Sequence, residues 1–138
     1  MTEFKGTTQT FDGNGNLISD GVRSFIYDAF NRLLEVKVGN AIIAQYQYDT
    51  YNRRVSKTTN AGTTHYLYDG FRCIEERTTN GILEKEYIHG SLYIDEVISQ
   101  ISNAETYYFT HDYRYSVTSL TDTSDDTVIT YDYKVYGI

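Results

Sequence analysis

Proline and tryptophan are absent from all 138 residues, and cysteine and methionine occur once each. A chain without proline must punctuate its turns with Gly, Asn and Asp. The single Cys73 excludes an internal disulfide. Positive charge is scarce and dispersed, with 12 Lys and Arg against 19 Asp and Glu, a net charge of −7 and a pI near 4.8. A surface that tracks phosphates needs concentrated basic residues, so nucleic acid is not an expected partner. No apolar run approaches the roughly 18 residues of a transmembrane helix, and the N-terminus lacks the form of a signal peptide. Ala, Leu and Met are too few to fill long helices and no 3.6-residue stripe is visible, which leaves strands.

What is present is tyrosine, 15 of them, and a recurring aromatic-Asp pair: Phe11-Asp12, Tyr27-Asp28, Tyr48-Asp49 and Tyr68-Asp69, with a degenerate copy at Tyr87-Ile88-His89-Gly90. Successive aromatics are 16, 21, 20 and 19 residues apart, and self-similarity at such a period marks a repeat architecture. The copies share a grammar. An aromatic closes a strand, Asp bonds to backbone two residues on, and the fourth residue after the aromatic (Gly15, Asn31 or Asn52) tolerates positive φ. Between these turns lie second turn signals, Gly39-Asn40, Asn60-Ala61-Gly62, Asn80-Gly81, Ser102-Asn103-Ala104 and Thr123 to Asp126, each short enough for a hairpin.

Period-2 alternation places Leu34, Val36 and Val38 on one face and Ile42, Ala44, Tyr46 and Tyr48 on one face of the return strand. The pattern predicts an all-β fold of tandem antiparallel hairpins, about five to six, laid into a strip or spiral as one repeat domain over residues 1–138, with no separate effector domain.

Tyr48-Asp49-Thr50-Tyr51-Asn52-Arg53-Arg54 resembles the repeat unit of the Rhs/YD-repeat proteins, whose usual form is Tyr-Asp-x-x-Gly-Arg-hydrophobic. Tyr66 to Phe71, Tyr87 to Ser91 with Ile94-Asp95-Glu96, and Tyr107 to Asp112 followed by Ser116-Val117 and Thr121-Asp122 are similar to segments late in the Rhs core, in the family's order. Two places depart from the pattern: Tyr115 stands where Gly is usual, and Lys134-Val135-Tyr136-Gly137 replaces Asp-Pro-aromatic-Gly. The resemblance implies hairpins laid side by side into a spiralling β-shell that encloses an effector in toxin members, in proteins that are secreted or on the cell surface. It implies Tyr27, Asp28, Asn31, Tyr48, Asp49, Asn52, Tyr68 and Asp69 as repeat-defining residues. The partners it implies are neighbouring repeats, self-association through strand edges, and an enclosed effector in the full-length protein.

Candidate chemistry is thin. His111, Asp112 and Ser116 are the nearest approach to a nucleophile set, but proximity in sequence supplies neither an oxyanion hole nor a positioned base. Asp95 and Glu96 point to opposite faces of a strand, and the acidic turn Asp122, Asp125 and Asp126 lacks EF-hand spacing. His65, His89 and His111 fall in different hairpins without ligand spacing. No enzyme, metal or cofactor is expected. A second reading is an adhesion module that binds glycan or protein through exposed Tyr107, Tyr113, Tyr115, Tyr133 and Tyr136; the alternative is that these rings form cross-strand ladders.

Overall fold

A computed structural model of the chain describes residues 2–4, 7–93 and 96–133, the side chains of residues 2–4 and 7 excepted. It contains fourteen strands and, among the described residues, no helix. The chain divides into two compact units, Met1–His65 and Tyr66–Ile138.

The first unit holds β1 (Thr2–Phe4), β2 (Thr7–Phe11), β3 (Leu17–Ser19), β4 (Arg23–Tyr27), β5 (Leu33–Val38), β6 (Ala41–Tyr48) and β7 (Arg54–Thr59), and ends within β8 (Gly62–Asp69). The second continues with β9 (Arg72–Thr78), β10 (Leu83–His89), β11 (Val97–Ser102), β12 (Glu105–His111), β13 (Val117–Thr121) and β14 (Thr127–Thr130). Within each unit, strands pair antiparallel with their neighbours in sequence, so each is a strip of hairpins. Such order follows from short turns, which leave a strand no neighbour but the one before it.

The predicted apolar face exists but is short. Val36 lies opposite Ala44 and both are buried. One step further the register slips between Val36 and Lys37, so Ile42 faces Lys37 and not Val38. Val38 and Ile42 are each 43% exposed, which corrects the continuous face that simple alternation implied. Only Val36, Ala44 and Leu120 are buried apolar residues among those described, and no large side chain is fully buried. Hydrogen-bonded turns and strand pairing therefore carry a larger share of the stability here than in a two-layer domain.

Candidate functional site

The aromatic-Asp motif folds as one geometry. In the first unit Asp12, Asp28 and Asp49 each open a five-residue turn. The Asp amide donates to the carbonyl of the fourth residue on (Asn16, Arg32, Arg53), and the amide of the third (Gly15, Asn31, Asn52) donates back to the Asp carbonyl, at 2.9–3.2 Å. Gly15, Asn31 and Asn52 have φ of 86°, 61° and 63°. This is a type I turn closed by a left-handed residue in a bulge, and the register shifts just before each Asp fit it. The carboxylate completes the turn. Asp28 Oδ1 accepts from the amides of Phe30 and Arg32 at 2.9 and 3.0 Å, and Asp49 Oδ1 from those of Tyr51 and Arg53 at 2.8 and 2.9 Å.

Asp28 Oδ2 takes the Nε and Nη2 of Arg32, each at 2.7 Å, and Asp49 Oδ2 takes Arg53 Nε at 2.7 Å. The Arg32 amide, with the guanidinium behind it, holds the Asp28 carboxyl below its ordinary pKa. Burial pushes Asp49 up, but the bonds from Arg53 outweigh it and the net direction is down. Asp12 is lowered by Asn16, whose side chain stands in the arginine's place.

Successive turns are bonded to one another. Asn31 Oδ1 accepts from Asn14 Nδ2 at 3.0 Å and Asn16 Nδ2 at 2.8 Å. Arg32 Nη1 reaches onward to the Asp49 carbonyl and Asn52 Oδ1, both at 3.1 Å. Its guanidinium lies 5.2 Å from the Phe30 ring centre and 5.0 Å from that of Tyr48, close enough for cation–π attraction. The Tyr48 hydroxyl donates to the Leu33 carbonyl at 3.0 Å, across one repeat. Tyr27 closes β4 opposite Leu33. Sequence reasoning did not single out Arg32 as the staple, although arginine in the fifth place of both the Asp28 and Asp49 turns was the available signal.

In the second unit the grammar moves. Asp69 does not open this turn: it ends β8, and the chain reverses over Gly70-Phe71 with Gly70 at φ 58°. Tyr68 lies within β8, one residue earlier than the repeat grammar placed it. The five-residue turn instead recurs at Asp112, Asp122 and Thr78, where the Thr78 hydroxyl replaces the carboxylate as acceptor for the Ile82 amide at 3.1 Å. Asn80-Gly81, expected as a hairpin turn, lies within that five-residue turn. At the degenerate copy the aromatic's place is taken by His89, not Tyr87. His89 Nε2 bonds the Cys73 carbonyl at 2.7 Å, as Tyr48 bonds Leu33. Tyr87 points to Glu76 at 2.6 Å, and burial first, then that carboxylate, pushes its phenol pKa up.

The candidate binding tyrosines do not form one site. Tyr107 donates to Glu105 Oε2 at 2.5 Å, which raises its pKa, and lines an open cavity of about 520 Å³ with Asp122, Ser124 and Val128. Tyr115 stacks on Tyr93 at 4.9 Å and 7° between planes. Tyr133 donates to the Val117 carbonyl at 2.8 Å, repeating the Tyr48 contact. Tyr113 is 87% exposed beneath Arg114. Tyr136 lies outside the described residues. Ser116 gives its amide to Asp112, while His111 pairs across the strands with Val117, so the three do not converge as a nucleophile set.

No family model matches the chain. The sequence is 28% identical over 141 aligned residues to the tRNA3(Ser)-specific nuclease WapA of Bacillus spizizenii, and equally to the tRNA nuclease WapA of Bacillus subtilis. These alignments cover 99% of this chain and 6% of each relative, so the chain spans a small fraction of the proteins it matches. Among solved structures it is similar to TcdB2-TccC3 without its hypervariable C-terminal region, with a TM-score of 0.55 at 20% identity over 84% of this chain and 7% of that one. The TcdB2-TccC3-Cdc42 complex gives 0.54 over the same shares. A repeat of about 20 residues whose turns in the first unit are bonded one to the next, matched over 99% of its length by the WapA relatives and sharing the fold of TcdB2-TccC3, bears out the resemblance to the Rhs/YD-repeat proteins.

Proposed function

We propose that this chain is a non-enzymatic structural module, a length of wall from an Rhs-type hairpin shell or filament in a secreted or cell-surface protein. The observation that carries the reading is the turn ladder. Arg32 uses one edge of its guanidinium to close its own turn and the other to hold the next, so the side chains that define a repeat are spent on joining repeats. A catalytic site spends such groups on a substrate instead. The nuclease activity named in the relatives belongs, on this reading, to the part of those proteins outside the matched 6%. An enclosed effector is the corresponding partner in a full-length protein, and neighbouring repeats are the lateral one.

The test is the mass of the purified chain by light scattering over a concentration series. A wall segment has strand edges that pair with further hairpins, so concentration-dependent association is expected. A strict monomer up to millimolar concentration sinks the reading in favour of a self-contained binding module.

A further inference from the structure

Charge is unevenly divided along the chain. Residues 1–65 carry 7 Lys and Arg against 6 Asp and Glu, whereas residues 66–138 carry 5 against 13, and none of those five lies within residues 115–133. In the second unit two successive turns, residues 103–104 between β11 and β12 and residues 122–126 between β13 and β14, flank the open cavity of about 520 Å³. Among the described residues its lining includes Glu105, Tyr107 and Asp122 and no cation. We infer that this cavity is a binding site for the guanidinium of an arginine on a separate, basic polypeptide.

The chain itself shows how it seats a guanidinium. At Asp28 and Asp49 the fifth residue of the turn is an arginine that pairs with the aspartate Oδ2 at 2.7 Å and lies over a ring, Arg32 at 5.0 Å from Tyr48 and Arg53 at 5.3 Å from Tyr51. The Asp122 turn is built alike, with Oδ1 accepting from the amides of Ser124 and Asp126 at 2.8 and 3.1 Å. Its fifth residue, however, is Asp126, so Asp122 Oδ2 has no arginine from its own turn and takes no donor from the described residues. Tyr107 provides the ring. Its hydroxyl donates to Glu105 Oε2, and that carboxylate first, with the Asp122 charge behind it, pushes the phenol pKa up. Two carboxylates and one aromatic ring therefore line the cavity, the same groups that hold Arg32, with an acid in the sequence where the cation stood.

The chemistry selects arginine. A planar guanidinium donates from two edges and stacks on a ring, so one group serves Asp122 Oδ2 and the Glu105 carboxylate while lying on Tyr107, whereas an ammonium offers a single strongly hydrated point charge. Calcium needs about six to eight oxygens, and no group of three or more His, Cys, Asp or Glu among the described residues is placed to hold a metal. The acidic excess of residues 66–138 favours a basic partner and steers it in. One guanidinium alone binds weakly, with a Kd on the order of 1 mM.

The experiment is a titration of the full chain with the blocked tripeptide Gly-Arg-Gly, followed through amide chemical shifts. Saturable shifts at Tyr107, Asp122 and Ser124 are expected. Asp122→Asn, Glu105→Gln and the substitution of a Gly-Lys-Gly peptide should each weaken binding at least about fivefold. Asp122→Asn keeps the Oδ1 acceptor of the turn and Glu105→Gln keeps an acceptor for Tyr107, so both variants retain the fold, which circular dichroism checks. Asp125→Asn removes the same charge from the same turn outside the cavity lining, and should bind within about twofold of the wild type. Equal weakening in all three variants, or equal affinity for the lysine peptide, reduces the effect to net charge and overturns the site, as does an absence of binding. Calcium that shifts the same amides and displaces the peptide reassigns the carboxylates to a metal and overturns it. So does movement of these amides when the chain alone is concentrated, which makes a second copy the occupant.

Discussion

Two residues hold left-handed backbone that their side chains do not favour, and each makes a prediction. Asn103 and Ala104 have φ of 52° and 65°, a two-residue turn with both centres left-handed, for which Asn-Gly is the preferred pair. Alanine there costs about 1–2 kcal/mol, offset in part by its lower entropy in the unfolded chain. Ala104→Gly should raise stability by about 0.5–1 kcal/mol, seen as a higher urea midpoint at constant slope; a lower midpoint contradicts the turn assignment. Tyr115, at φ 62°, bears the same strain but also stacks on Tyr93, a contact of about 0.5–1.5 kcal/mol. Tyr115→Gly gives up the ring and the strain together and should change stability little. Tyr115→Ala loses the ring and keeps the strain, so it should fall about 1 kcal/mol below the glycine variant. Equal stability of the two would mean that the backbone there is not strained.

The turn is the element on which the fold rests. Arg32→Ala removes the fork to Asp28 and both bonds to the next turn, and should cost about 1–2 kcal/mol. Arg23→Ala breaks an equally short pair with Asp20, at 2.7 Å, but that arginine side chain is 54% exposed, so the loss should stay under about 0.5 kcal/mol. Equal losses in urea melts would remove the ladder from the account. Acid tests the same groups. The carboxyls of Asp12, Asp20, Asp28, Asp49 and Asp112 are all held below the ordinary 3.8 by turn amides and side-chain donors. Since the folded chain binds these protons less readily than the unfolded one, their stabilisation is complete above the unfolded value and disappears as pH falls through the folded values. Melting temperature should therefore hold from pH 7 to about 5 and drop steeply below pH 4. Asp28→Asn keeps the Oδ1 acceptor while losing the ion pair, and should flatten that drop; an unchanged profile would show that Asp28 contributes none of it. The element was legible in the sequence where residue type and backbone demand coincide: Gly15, Asn31 and Asn52 are left-handed as expected. At Asp112 and Asp122 only part of it was legible: a turn was expected over Thr123 to Asp126 and Tyr115 was seen to stand in glycine's usual place, but the five-residue form, with Tyr115 and Asp125 left-handed, was not signalled. Asp69 misled for the converse reason, because Gly70 one residue later allows a tighter reversal and leaves no five-residue turn for its carboxylate to cap. The register slip after Val36 was equally hidden, since alternation in one strand carries no information about its partner's offset.

At the scale of the whole chain, sparse burial and neighbour-only pairing predict how it opens. A repeat strip is stabilised by each hairpin and its contacts with the next, so unfolding proceeds from poorly flanked strands and not all at once. β5 and β6 are paired on both sides, and Val36 and Ala44 between them are two of the three buried apolar residues among those described. β14 pairs, among the described residues, only with β13, over three residue pairs, and all four of its residues are exposed. Native-state hydrogen exchange should find the amides of β5 and β6 protected at least tenfold more than those of Thr127–Thr130, a difference of about 1.4 kcal/mol in opening free energy. Uniform protection would mean that the chain unfolds as one cooperative body, and stability would then have to come from contacts beyond strand neighbours. If the gradient is found, adding a further repeat after β14 should raise protection there while leaving β5 and β6 unchanged, because in a one-dimensional array a new neighbour stabilises the strand it touches.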